Sequence, residues 1–148
     1  MPIIKPEIQY VDNFSITGFS TRTNNSDESN PNTARIPSLW QRFHASELAN
    51  INPIYGVYSD YDSDASGSYT LTVGTSETKD KTNLSNIIII SGNYLVFTNS
   101  GPMPTTLIQT WHQIWDYFAQ QSAYQRRFIS DFELYEAPNQ VAIYIGIR

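Results

Sequence analysis

Ser130-Asp131-Phe132-Glu133-Leu134-Tyr135-Glu136 alternates polar and apolar side chains, the period of a β-strand. In such a strand Phe132 and Leu134 point to one face, and Asp131, Glu133 and Tyr135 to the other. A second strand-like run, Val141 to Ile147, follows closely, so the acidic strand is expected to be anchored in a sheet. The pattern leaves two readings of Glu133 open: a solvated surface acid, or the anionic floor of a ligand pocket. Burying an ionised carboxylate is costly unless it is paired, so the second reading needs a cation as partner.

Just upstream, Leu107, Ile108, Trp111, Ile114, Trp115 and Phe118 keep to one side of a helix introduced by Gly101-Pro102-Met103-Pro104. Before it, Ile87–Ile90 and Tyr94–Thr98 read as strands, with Gly92-Asn93 as the turn signal between them. The first half of the chain has the same order. Ile8–Val11 and Phe14–Thr21 are strand-like, and Ile36, Leu39, Trp40 and Phe43 mark a helix that carries Pro37 in its first turn and ends near Ala49-Asn50. Ile54–Tyr58 then pairs across the Asp60–Gly67 turn with Ser68–Thr75, whose Tyr69, Leu71 and Val73 share a face. The polar stretch Thr23–Ala34 is expected to be a mobile loop, and Glu77–Asn86, with Lys79-Asp80-Lys81, a connector. The expected architecture is α+β. One domain over residues 1–148 would hold two tandem strand–helix–strand–strand units, at about 6–76 and 87–148. One face of the antiparallel sheet would pack on two helices, and the other would be free to form a groove.

Hydrophobic residues make up 40% of the 148, enough for a core in one domain of ordinary size. Ten Tyr and three Trp are many, and both side chains suit sites that are apolar at one end and wet at the other. A net charge of −5, with Arg126-Arg127 as the only arginine doublet, argues against direct nucleic-acid binding. No cysteine is present, which removes disulfides and thiolate zinc sites. The N-terminus lacks a signal-peptide core, and no eighteen apolar residues run together. A cytoplasmic protein without a membrane span is therefore expected. His44 and His112 are isolated and match no metal-ligand spacing. Asp60, Asp62 and Asp64 lack the glycine and glutamate of a calcium loop. No cofactor is expected, and nothing resembles a nucleophile elbow.

Several short motifs, in order, carry a resemblance: Ile16-Thr17-Gly18-Phe19, Ile36-Pro37-Ser38-Leu39-Trp40-Gln41-Arg42-Phe43, Ile54-Tyr55-Gly56-Val57-Tyr58, Tyr69-Thr70-Leu71-Thr72-Val73-Gly74, Gly92-Asn93-Tyr94-Leu95-Val96-Phe97, Gly101, Trp111, Tyr117-Phe118 and Asp131-Phe132-Glu133-Leu134-Tyr135. From about Pro6 to Arg148 the chain resembles the GyrI-like effector-binding domain, the ligand-sensing module of many AraC- and MerR-type regulators. Standalone members are similar to gyrase-inhibitor proteins and to a drug-binding protein of integron cassettes. The resemblance implies a duplicated module with a cleft between its halves that takes amphipathic, often cationic, drugs or dyes. It also implies that Glu133, in the matching late strand, meets the positive charge. No helix-turn-helix precedes Pro6, so DNA binding by this chain is not expected, although a DNA-binding regulator or gyrase could be its protein partner.

The aromatic lining is chosen from the residues themselves. Trp40 and Trp111 are candidates on helix faces, while Trp115 reads as core. Tyr55 and Tyr58 lie on opposite faces of their strand, so at most one serves the groove. Tyr58 and Tyr69 are taken as candidates, and Tyr144 as the best placed of the strand tyrosines, with Val141, Ile143, Ile145 and Ile147 on the opposite face. Asp131 and Glu136 read as ordinary surface charges. Two other roles remain open: an enzyme, since some relatives are hydrolases of reactive electrophiles and a cleft Glu beside a Tyr can act as a general base, or a gyrase-inhibitor-like interaction role.

Overall fold

A computed structural model describes residues 6–76, 83–120 and 123–148. Its strands are β1 (Glu7–Val11), β2 (Phe14–Thr23), β3 (Ile54–Ser59), β4 (Tyr69–Thr75), β5 (Ser85–Ile89), β6 (Gly92–Ser100), β7 (Arg126–Ala137) and β8 (Gln140–Ile147). The helices are α1 (Asn25–Glu28), α2 (Ile36–His44) and α3 (Thr105–Ala119), with a 3-10 turn at Glu47–Asn50 after α2. All eight strands join one antiparallel sheet in the order β1-β6-β8-β7-β3-β4-β2-β5. The α+β reading holds, and the order is symmetric about the central β7–β3 pair. No helix among the described residues is long and apolar enough to cross a membrane.

The two halves exchange strands. β1 runs into β2 through only Asp12-Asn13 yet pairs with β6, and β5 runs into β6 through Ile90-Ser91 yet pairs with β2. Each half thus lends its first strand to the other. The two connectors meet where Ser91 N–H donates to the Asn13 side chain. The Arg127 guanidinium also holds this crossing, donating to the carbonyls of Ile90 (2.9 Å) and Ser91 (3.0 Å).

The stretch from Thr23 to Ala34 is built rather than loose. Thr23 ends β2, and the Asn24 side chain caps α1 by accepting from Asp27 N–H at 2.8 Å. Glu28 then caps α2 from outside, accepting from the backbone N–H groups of Arg35 (2.9 Å) and Ile36 (3.1 Å). Hydrogen bonds order this segment, so a reading based on apolar content missed it. Lys79-Asp80-Lys81 lies outside the described residues, while Ser85 and Asn86, expected in the connector, begin β5. Helix α2 ends at His44, earlier than expected, where Ser46 Oγ donates to the Phe43 carbonyl.

Both faces of the sheet carry clusters of buried side chains. Leu39 and Phe43 of α2 cover Leu71 and Val73; Ile114 of α3 covers Leu95, Phe97, Ile143 and Ile145. The other face, expected to be free, packs Ile16, Val57, Ile89, Tyr94 and Phe132 against one another. Between Arg126 and Asp131 the pairing of β7 with β8 is interrupted, and Phe128 there has a φ of +52°. Asp131 secures this bulge. Its Oδ2 takes Arg126 Nη2 at 2.8 Å and the Tyr61 hydroxyl, and its Oδ1 takes Gly146 N–H at 2.8 Å. It is fully buried, not a surface charge. Removing one partner of such a pair strands the other in the interior. Asp131→Ala is expected to cost roughly 3–5 kcal/mol in urea denaturation, whereas a surface acid would cost almost nothing.

Candidate functional site

Glu133 lies on the helix-bearing face, in the central strand pair, opposite Gly56 of β3 and Ile143 of β8. It is 1% exposed. Three neutral groups donate to it, each at 2.7 Å: Tyr58 Oη and Trp111 Nε1 to Oε2, and Tyr135 Oη to Oε1. Tyr58 and Tyr135 come from the two strands that join the halves, and Trp111 from α3. Trp40 of α2 closes the other side, its ring edge-on to Tyr135 with centroids 5.5 Å apart. Gly56 makes room for the acid, since a Cβ there would stand 2.9 Å from Glu133 Oε1 and 3.7 Å from Trp40 Cζ2. Any larger residue would push the carboxylate out of its place.

No lysine, arginine or histidine among the described residues forms an ion pair with Glu133. Burial therefore pushes its carboxyl above the usual range, and the three hydrogen bonds offset this only in part. The tyrosines respond in kind: burial, and then the Glu133 charge, hold the Tyr58 and Tyr135 phenols well above their ordinary value. Asp131, two residues away on the same face, has the cation that Glu133 lacks.

Four of the aromatics chosen from sequence gather here. Trp40 and Trp111 flank the acid from the two helices, and Tyr58 bonds to it directly. Tyr69 stands behind Tyr58, with ring centroids 5.3 Å apart, and donates to the Asn25 side chain at 3.0 Å. Tyr144 does not join them. It pairs across the strands with Phe132, not Glu133, and stacks on that ring at 4.3 Å on the opposite face. The register sets this: Ile143, assigned to the other face from sequence, is the residue that shares Glu133's side. Trp115, expected in the core, is 39% exposed and leans on Trp111 with centroids 6.1 Å apart. Tyr135 and Gly56 were missed as site residues, although Tyr135 falls two residues after Glu133 on the same strand face. A cavity of about 740 Å³ lies on the far side of the sheet, between Gln9, Leu134, Glu136 and Tyr144. It contains neither Glu133 nor any of its donors. The candidate site is placed at Glu133 because an unpaired buried charge demands a chemical explanation, which an open groove does not.

The family model described as Cass2, integron-associated effector binding protein, matches residues 7–147. The Bacillus subtilis (strain 168) protein YobU, provisionally described as a transcriptional regulator, is 30% identical over 158 residues, covering 95% of this chain and 96% of that protein. The crystal structure of an integron cassette protein from the mobile metagenome of Vibrio cholerae superposes with a TM-score of 0.90 at 32% identity, covering 97% of this chain and 95% of the other. SAV2435, in a structure bound to tetraphenylphosphonium, superposes with a TM-score of 0.74 at 20% identity, covering 98% and 94%; at that identity the likeness is one of fold.

The raised carboxyl has a direct consequence for stability. In the folded chain Glu133 holds its proton more tightly than in the unfolded chain. Its favourable contribution is therefore complete below the ordinary glutamate range and is lost as pH rises through the raised value. Glu133→Gln removes this loss while keeping the size. The variant should match wild type in acid and melt higher near neutral pH, by about 2–4 °C for each kcal/mol gained. Thermal melts across the acid-to-neutral range check this, and a lower melting temperature for the variant at neutral pH would contradict it.

Proposed function

Because the chain belongs to the Cass2 family of integron-associated effector-binding proteins, we propose that it binds amphipathic small molecules carrying a positive charge, with Glu133 as the counter-charge. The observation that carries this reading is the buried carboxylate held by three neutral donors with no cation paired to it among the described residues. Neutral donors place the charge but do not cancel it, and a desolvated charge interacts with a cation far more strongly than one in water. The rings of Trp40, Trp111 and Tyr58 would face the ligand, adding cation–π attraction and apolar contact. Tyr69 would support Tyr58 from behind.

The ligand would enter between α2 and α3. The acid sits on the sheet, whereas Trp40 and Trp111 sit on helices that can part without breaking a strand pair. Beyond Trp111, the exposed side chains of Trp115 and Ile108 continue an apolar edge along α3, a suitable lip for such an entry. A bulky aryl cation of the kind seen in SAV2435 meets these requirements: it brings one charge, wide apolar faces and a weakly held hydration shell. Most of the affinity would come from buried apolar surface, and the selectivity for charge from Glu133.

Titration with tetraphenylphosphonium, followed by tryptophan fluorescence, tests the reading. Wild type should bind, and Glu133→Gln should weaken binding by about tenfold to a hundredfold. Wild-type affinity should also fall as pH drops through the raised carboxyl value, and the variant should lose that dependence. Equal affinities in the two proteins would contradict the counter-charge role.

A further inference from the structure

We propose that the outer edge of β5 is a docking surface for a second copy of this chain, so that two molecules join edge to edge in one antiparallel sheet. β1 and β5 are the two ends of the eight-stranded sheet. Among the described residues β5 pairs only with β2, so the backbone N–H and C=O groups along its other side have no strand to meet. Nothing in its sequence guards that edge. Asn83-Leu84-Ser85-Asn86-Ile87-Ile88-Ile89-Ile90-Ser91 contains no charge, no proline and no glycine, and charge and proline are what usually keep an edge strand from adding another. Ile89 is buried in the core, whereas Ile88, on the helix-bearing face, is 56% exposed, and Ile90 just beyond the strand is exposed as well.

Charge and symmetry decide what fits there. A two-fold axis between two copies of one strand makes that strand its own antiparallel partner. With the axis at Ile88, Ile88 of one copy lies opposite Ile88 of the other, and on the opposite face Ile87 lies opposite Ile89. Apolar side chains then meet apolar side chains, and no charge enters the contact. The other end of the sheet is different. β1 also exposes Ile8 and Tyr10, but it carries Glu7 and runs into Asp12, charges of the kind that discourage edge pairing. Joining β1 of one copy to β5 of the next would leave a free edge at each end and grow into a filament, whereas the two-fold contact closes at two copies. β2, β4 and β3 lie between β5 and the strand of Glu133, so a dimer leaves that site open, and neither the contact nor its test depends on cation binding.

Sedimentation velocity of the full chain over a range of concentrations tests this. Wild type should pass from monomer to dimer below about 1 mM, and added salt should strengthen the dimer by screening the charge of −5 on each copy. Ile88→Lys and Ile88→Glu each set like charges against one another at the axis, and each should weaken dimerisation by about tenfold or more. Because Ile88 is exposed, both variants should melt within a few degrees of wild type at concentrations where wild type is monomeric. An equal mixture of the two variants should regain the dimer, since lysine then faces glutamate across the axis. Regain on mixing separates residue 88 meeting its own copy from a contact made elsewhere. A wild type still monomeric at about 1 mM, variants that dimerise as wild type does, or a mixture that stays monomeric would each overturn the inference. So would wild-type species that grow steadily beyond the dimer.

Discussion

A carboxylate is held out of water in the middle of an eight-stranded sheet, with neutral hydrogen-bond donors around it and no cation paired with it among the described residues. Much of the site's construction can be understood as what this needs. The β3–β7 pair joins the halves and sets Gly56 opposite Glu133, where the lack of a side chain leaves room for the acid. The same strands place two phenols beside it. Each half supplies one helix and one indole, so the acid is enclosed by parts of both. The exchange of β1 and β5 between halves adds two further strand pairings that tie them together.

The neighbouring acid shows the other solution to the same problem. Asp131 is as deeply buried, but Arg126 neutralises it and Gly146 and Tyr61 complete its hydrogen bonds. That acid holds a bulge shut. Glu133 receives no such compensation among the described residues, and the fold bears the cost as a raised carboxyl. Two acids on one strand face, two residues apart, have thus been given different tasks by their partners alone. Residues kept at a cost to stability are where binding or chemistry is expected.

Much of this was legible in the sequence because periodicity survives folding. The alternation through Ser130–Glu136, the apolar stripe of α3 and the repeated order of elements led directly to an α+β sheet with two main helices. Glu133 stood out through alternation and motif together. What the sequence concealed were relations between strands. Tyr144 was assigned to Glu133's face because the β7–β8 register cannot be read from either strand alone. Arg126 and Asp131 are five residues apart and would face opposite sides of a regular strand; only the bulge at Phe128 brings them together. The crossing of β1 and β5 follows two-residue connectors that look like hairpin turns. The Asn24–Glu28 cap was hidden because its order comes from polar side chains.

Carboxyl-carbon NMR can observe directly whether Glu133 is the counter-charge proposed for a bound cation. The Glu133 side-chain carboxyl is followed through a pH titration, alone and saturated with tetraphenylphosphonium. A value above the ordinary glutamate range is expected in the free protein, with a clear fall once the cation is bound. A carboxyl that titrates normally in the free protein, or that does not shift when the cation binds, would contradict it.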